Sequence, residues 1–144
     1  MGIWVGEKGI AELDGMGIGT LNESLGIEIT EVTPTSLKGR MPVDKRTIQP
    51  AGVLHGGASV ALAETLASIG GTLAVDRSKF YVVGQEINAN HIRPGIPGTW
   101  VYGEATPANI GRRSHVWEIR ITNEDGKLVC LSRCTLAVLE LPPN

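Results

Sequence analysis

One carboxylate stands in the most apolar stretch of this 144-residue chain. Residues 58–73 carry Ala, Val, Leu and Ile on every side of a helical wheel, which predicts a buried helix, and Glu64 interrupts them. A buried carboxylate is costly unless it is paired, hydrogen-bonded or neutralised, so Glu64 is either a satisfied structural residue or a reacting group. Ser68 lies one turn further on the same face, where its hydroxyl can meet the carboxylate or its target.

A His-Gly-Gly sequence, His55 to Gly57, precedes this helix. The first backbone N–H groups of a helix have no partner within it, so the glycines offer donors to an anion or a carbonyl oxygen. His55 has two interpretations, a hydrogen-bonding residue at the helix start or a donor to a substrate carbonyl. Gln49, further upstream, is a neutral amide that can orient water or a carboxylate.

Glu64 and Gly56 are too far apart along one helix to act on the same carbonyl group. Eight residues at about 1.5 Å each separate them by about 12 Å. Two helices that run antiparallel about a two-fold axis would bring Glu64 of one chain to Gly56 of the other. Carbonyl chemistry, by nucleophilic attack or by activation of water, therefore predicts a dimer with composite sites.

The segments around the helix have the alternation of β-strands. We expect two before it, Gly26–Val32 and Leu37–Val43, to form a hairpin. Four more are predicted to form a meander after it: Phe80–Ile92, Gly98–Thr106, Ser114–Thr122 and Leu128–Leu139. Asn123–Gly126 is a strong turn signal between the last two.

These elements predict one α+β domain over residues 1–144, an antiparallel sheet of about six strands wrapped around one long central helix. Residues 1–25 form a helical lead-in, with a short helix over Lys8–Met16 and a further turn over Asn22–Leu25. A single sheet covers only part of an apolar helix, so the remainder needs a second subunit.

Composition narrows the function classes. A net charge of −2 with 42% hydrophobic and 19% charged residues is typical of a globular protein and favours neither nucleic acid nor an anionic membrane as partner. The first ten residues lack a signal-peptide pattern, so we expect a cytoplasmic protein. Cys130 and Cys134, about 13 Å apart on one face of a strand, are predicted to be free core thiols.

A metal site is not expected, because His91 and His115 have no close-spaced partner ligand. Arg112 and Arg113 form a solvated turn or, with His91 and Arg93 on a nearby strand end, a basic patch for a phosphorylated carrier.

Three motifs together resemble the hotdog-fold acyl-CoA thioesterases: M-P-V-D-K-R-T-I-Q-P, L-H-G-G-A-S-V-A-L-A-E-T and V-V-G-Q-E-I-N-A-N-H-I-R-P. The chain looks most like the branch with the Arthrobacter-type 4-hydroxybenzoyl-CoA thioesterase and the 1,4-dihydroxy-2-naphthoyl-CoA hydrolases of menaquinone synthesis. This resemblance runs from about Gly26 to Leu139. It implies hydrolysis of an acyl-CoA, aromatic ones included, to free acid and CoA. It further implies no cofactor, since coenzyme A is part of the substrate, and assembly as a dimer of dimers.

The resemblance also implies roles for individual residues. Glu64 matches the nucleophile or general base, and Gly56 matches the amide that polarises the thioester carbonyl. His55, Gln49 and Ser68 match the family's other active-site positions. Family contacts to coenzyme A match the following residues: Gly84, His91, Ile92, Arg93, Pro94, Asn109, Ile110, Gly111, Arg112, Arg113 and Ser114. Two rival functions share the fold, an acyl-CoA-binding protein without turnover and an acyl-thioester dehydratase or hydratase.

Overall fold

An 18-residue helix lies against a six-stranded antiparallel sheet in this computed structural model. The structure describes residues 2–143; Met1 and Asn144, the ends of the predicted domain, lie outside the described residues. The main elements are β1 (Glu28–Val32), β2 (Leu37–Pro42), α2 (Gly56–Leu73), β3 (Phe80–His91), β4 (Trp100–Ile110), β5 (Ser114–Thr122) and β6 (Leu128–Glu140). Among residues 2–143, no helix is long and apolar enough to cross a membrane. The predicted α+β architecture is confirmed.

Both predicted hairpin signals correspond to real turns. β1 pairs antiparallel with β2, as expected. Between β5 and β6, the side-chain oxygen of Asn123 accepts from the backbone N–H groups of Asp125 and Lys127, each at 3.0 Å. Gly126 follows with a φ of 75°, which is why Asn and Gly suit this turn.

The strand order differs from the predicted four-strand meander. β4, β5 and β6 are consecutive neighbours, but β3 lies beyond β6 at the edge, and β2 pairs with β4. Because α2 connects β2 to β3, the helix crosses the sheet over β4, β5 and β6, which lie between those two strands. The predicted adjacency of β3 and β4 is wrong because alternation specifies which residues face the core and not which strands pair. Glu86, Asn88 and Asn90 of β3 are the polar residues expected on an exposed edge.

The lead-in is less helical than predicted. A single 3₁₀ turn, Ile10–Leu13, replaces the helix expected over Lys8–Met16, because Gly9 precedes it and Gly15 takes a φ of 77°. A five-residue helix, α1 (Leu21–Leu25), follows. It is fixed to α2 by a hydrogen bond of 3.0 Å from Thr65 Oγ1 to Asn22 Oδ1.

The core lies between the sheet and one side of α2. Leu62, Leu66 and Leu73 are buried there with Trp117 and Leu136. Cys130 and Cys134 are buried and free, which confirms the predicted core thiols.

The other side of α2 remains half-buried. The residues there are Val60, Ala61, Glu64, Thr65 and Ser68, here called the open stripe. Within one chain, therefore, the helix is not buried all round, and the single sheet covers only part of it, as expected.

Candidate active site

His55 begins α2 and organises its first turn. Its ring Nδ1 accepts from the Gly57 backbone N–H at 2.8 Å, and its own backbone N–H donates to Thr47 O at 2.8 Å. The helix therefore begins at Gly56, two residues earlier than the predicted segment. Since Nδ1 accepts, the ring proton of the neutral imidazole is on Nε2, which can still donate to a ligand. His55 is thus a hydrogen-bonding residue at the helix start, the first of its two interpretations. Its Nε2–H can also donate to a substrate carbonyl, which is the second interpretation.

Gly56 and Gly57 differ in what their backbone donors do. The Gly57 N–H is taken by His55, whereas the Gly56 N–H has no acceptor among residues 2–143. The ring of His91 covers Gly56 closely, since a Cβ there would lie 2.8 Å from His91 Nε2. Of the two predicted donors, only Gly56 offers a free N–H at the first turn, where the helix dipole adds to its attraction for an oxygen.

Gln49 lies in the loop before the helix and is fixed by backbone hydrogen bonds. Its N–H donates to Val53 O at 2.9 Å, and its carbonyl accepts from the Gly52 N–H at 2.8 Å. The side-chain Oε1 accepts a short hydrogen bond from the Ala51 N–H. The side-chain amide nitrogen is left to donate, which suits a residue that orients water or a carboxylate.

Gln49 and Gly56 line one cavity of about 320 Å³, here called the helix-start cavity, whereas His55 and Gly57 lie beside it and are not among its lining residues. The cavity brings Gln49 and Gly56 together with His91, Ile92, Arg93 and Pro94, so two predicted sets of site residues meet. Arg93 is held by a hydrogen bond of 2.6 Å from Nη1 to Leu128 O. Further wall residues that the sequence did not indicate are Val53, Leu54, Ser59, Gly95 and Val129.

Glu64 lies outside this cavity, on the open stripe. It lines a groove of about 350 Å³, here called the Glu64 groove, together with Ser68, Leu21, Asn22, Ala61, Thr65 and Ile69. Its carboxylate makes no hydrogen bond or ion pair within residues 2–143. A half-buried carboxylate without a structural partner is free to react, so the satisfied structural reading does not apply within one chain.

Gly84 lies against Glu64 rather than beside the helix-start cavity. A Cβ at this position would clash with Glu64 Oε1, so any larger residue there would force the carboxylate to shift. The contact occurs where the β3–β6 register shifts between Gly84 and Glu86. Within one chain, Gly84 therefore leaves the space that the Glu64 carboxylate occupies. This differs from the coenzyme A contact that the resemblance implies for Gly84.

Cys134 of β6, which pairs with Ile87 of β3, is a buried thiol near the Glu64 carboxylate but is a poor nucleophile. Burial, and then the negative charges of Glu64 and Glu86, raise the pKa of the Cys134 thiol to about 11. It is therefore a protonated core thiol near neutral pH, and Glu64 is the reactive candidate here.

The predicted arginine turn lies far from His91 within one chain. β4 continues to Ile110, so Asn109 and Ile110 belong to a strand, and the turn comprises only residues 111–113. β6 pairs with His91 at Cys130 and with Ser114 at Ala137, seven residues or about 23 Å further along the strand. Of the two interpretations of Arg112 and Arg113, the basic patch with His91 and Arg93 does not form within a single chain, since these residues lie at opposite ends of the sheet. Both arginines are exposed, as in the other interpretation, a solvated turn.

Comparison with known proteins gives consistent matches over most of the chain. The family model described as thioesterase superfamily matches residues 51–130. The 1,4-dihydroxy-2-naphthoyl-CoA hydrolase of Escherichia coli (strain K12) is 44% identical over 95% of this chain and 99% of that protein. The proofreading thioesterase EntH of Cronobacter turicensis is 47% identical over 95% of this chain and 98% of its own.

The structural matches agree. The crystal structure of a mutant of thioesterase PA1618 from Pseudomonas aeruginosa superposes with a TM-score of 0.93 at 42% identity. The match covers 96% of this chain and 99% of that one. The hotdog fold implied by the sequence motifs is confirmed.

Proposed function

The chain belongs to the thioesterase superfamily and is a thioester hydrolase, and from this premise we propose that it hydrolyses acyl-CoA at a site shared by two subunits. Glu64 of one subunit is the nucleophile or general base, and Gly56 of the other polarises the thioester carbonyl. An aromatic acyl group is included because of the similarity to 1,4-dihydroxy-2-naphthoyl-CoA hydrolase. We also propose a cytoplasmic location, which suits two free thiols.

The observation that carries the proposal is the separation of two unpaired groups on one helix. Gly56 has a free backbone N–H and Glu64 a free carboxylate, and about 12 Å of helix lies between them. A thioester carbonyl needs a donor at its oxygen and an attacking group at its carbon, within a few ångströms of each other. One chain thus supplies two incomplete halves of such a site.

Two features of the fold support a dimer that completes both halves. β3 is an edge strand of 12 residues, and an unpaired strand edge is a template for pairing with another chain. Glu64 packs on Gly84 of this same strand, and the open stripe is uncovered beside it. Pairing of two β3 edges about a two-fold axis would lay the α2 helices side by side and antiparallel.

The same arrangement supports the predicted coenzyme A contacts. In one chain His91 to Pro94 lie at the helix-start end, and the 111–113 turn lies at the Glu64 end of the sheet. An antiparallel partner brings its own helix-start end to this Glu64 end. The basic residues Arg93, Arg112 and Arg113 then lie on one side of the shared site, where the phosphates of coenzyme A need cations.

The reaction follows from these positions. The carbonyl oxygen accepts from Gly56 N–H, which stabilises the negative charge that forms there, and His55 Nε2–H is a second donor. In one route Glu64 removes a proton from water as the water oxygen bonds to the carbonyl carbon; the C–S bond breaks and the thiolate is protonated. In the other, Glu64 itself attacks, CoA leaves, and water hydrolyses the resulting anhydride. Either route consumes one water and gives free acid and CoA.

The test is release of CoA thiol from a panel of acyl-CoA esters, comparing Glu64→Gln with the parent. Glu64→Gln keeps the size of the side chain but removes its basicity, so we expect kcat to fall at least about 100-fold. Glu31→Gln, on β1 at the opposite edge of the sheet from β3, is the matched control and should retain parental kcat. Equal turnover by Glu64→Gln and the parent contradicts the assignment. Tight binding of acyl-CoA by the parent without thiol release contradicts hydrolysis itself.

A further inference from the structure

A cavity of mixed polarity lies between the lead-in and the sheet. Its volume is about 220 Å³. Six apolar side chains form most of its wall: Ile10, Leu13, Met16, Ile27, Ile29 and Ile69. Asp14 and Asn22 are the polar side chains in the wall. This lead-in cavity contains no residue of the helix-start cavity.

The lead-in cavity adjoins the Glu64 groove. Asn22 and Ile69 line both spaces. The hydrogen bond from Thr65 Oγ1 to Asn22 Oδ1, at 3.0 Å, holds the Asn22 side chain at the boundary. An acyl group whose carbonyl carbon is at Glu64 therefore has the lead-in cavity within reach in the same subunit, while the CoA side leads towards the partner's helix start.

We infer that the lead-in cavity binds the acyl group of the substrate and limits its size, an inference that rests on the proposed function. An apolar cavity of about 150 Å³ is sufficient for a benzene ring, so about 220 Å³ admits one ring or an alkyl chain of similar volume. On the same scale a fused two-ring system, with ten ring carbons instead of six, needs about 250 Å³. The cavity thus selects single-ring over naphthoyl-type acyl groups.

The charge in the wall adds a second selection. Asp14 is the only ionisable side chain of the lead-in cavity among the residues that line it. Its carboxylate repels an acyl group that ends in a second carboxylate, so neutral acyl groups are preferred.

Met16 is the position for a test because it lines the cavity while remaining 45% exposed, so changes there need not disturb the core. Met16→Trp fills the space, and Met16→Ala enlarges it. Steady-state kcat/KM is measured with acetyl-CoA, benzoyl-CoA and 2-naphthoyl-CoA. We expect Met16→Trp to lower kcat/KM for benzoyl-CoA at least about tenfold and to change that for acetyl-CoA less than about twofold. Met16→Ala should raise the ratio of naphthoyl to benzoyl kcat/KM severalfold.

Ile18 supplies the matched control. It belongs to the same segment, is 74% exposed and does not line the cavity, so Ile18→Trp and Ile18→Ala should leave all three substrates unchanged.

Three results would overturn the inference while parental hydrolysis stands. The first is an equal fall in kcat/KM for acetyl-CoA and benzoyl-CoA in Met16→Trp, and the second is no change in kcat/KM for either ester. The third is altered subunit association with unchanged selectivity, which would mean that the partner chain occupies the cavity. Absence of thiol release from every ester by the parent would instead contradict the proposed function, and with it this inference.

Discussion

The two halves of the site on α2 are built in different ways. At the helix start, the parts are neighbours in sequence: His55 caps Gly57, and Gln49 is held by the backbone of its own loop. Around Glu64 the parts come from distant segments, with Gly84 from β3, Asn22 from α1 and Cys134 from β6. The first half depends on local hydrogen bonds and the second on tertiary packing. Substitutions in the two halves should therefore lower activity for different structural reasons.

The largest effect is expected when the backbone donor of the local half is removed. Gly56→Pro deletes the N–H at the first helical position, where proline is tolerated, and His55 already has the extended ψ of 128° that suits a residue before proline. Loss of one such donor should lower kcat about 100- to 1,000-fold in a thiol-release assay.

Gly56→Ala is the control for this change, because it adds a Cβ against the His91 ring but keeps the N–H. It should cost much less than the proline variant. Similar losses in the two variants would mean that crowding of His91, not the missing donor, explains the effect. Mixing Gly56→Pro with Glu64→Gln subunits should restore about a quarter of parental activity, because half of the dimers are then mixed and each contains one intact site. No recovery would contradict sharing across subunits.

A smaller effect is expected from the packed half. Gly84→Ala places a methyl group where Glu64 Oε1 now lies, so the carboxylate must move, and we expect kcat to fall about tenfold with little change in KM. Steady-state kinetics checks this, and Gly9→Ala reports the general cost of such a change, because Gly9 has an extended φ of −141° and nothing lies within 4 Å of an added Cβ there. A rise in KM with unchanged kcat would instead favour the coenzyme A contact that sequence resemblance implies for Gly84.

The smallest effect on catalysis is expected at His115, which belongs to neither half. It is buried with Nδ1 lacking a partner among the described residues, and burial lowers its pKa below the ordinary value. As the pH falls through about 6.5 the unfolded chain takes up a proton that the folded chain resists, so the free energy of unfolding decreases with acidification below that pH.

His115→Leu should flatten this dependence in urea unfolding measured at pH 5 and pH 7.5, with kcat changed less than about twofold. The change in the free energy of unfolding with pH that is lost in this variant is at most about 1.4 kcal/mol per pH unit. A parent whose stability does not change below pH 6.5 would contradict the argument.

The contrast between the halves also explains which features of the site could be predicted from the sequence. The helix, its glycine start, Glu64 and Ser68 were predictable because capping and helical periodicity are local. The position of Gly84 and the wall formed by Asn22 were not, because each depends on how distant segments pack. The polar residues Glu86, Asn88 and Asn90 were the available signal for an edge strand.

The 12 Å of helix between the free N–H and the free carboxylate has a consequence for how the protein behaves on dilution. If the site is shared as proposed, a single chain lacks a complete active centre. Turnover per chain should then decline as subunits dissociate, and newly synthesised chains should be inactive until they associate. Specific activity would then report assembly directly, without a separate measurement of size.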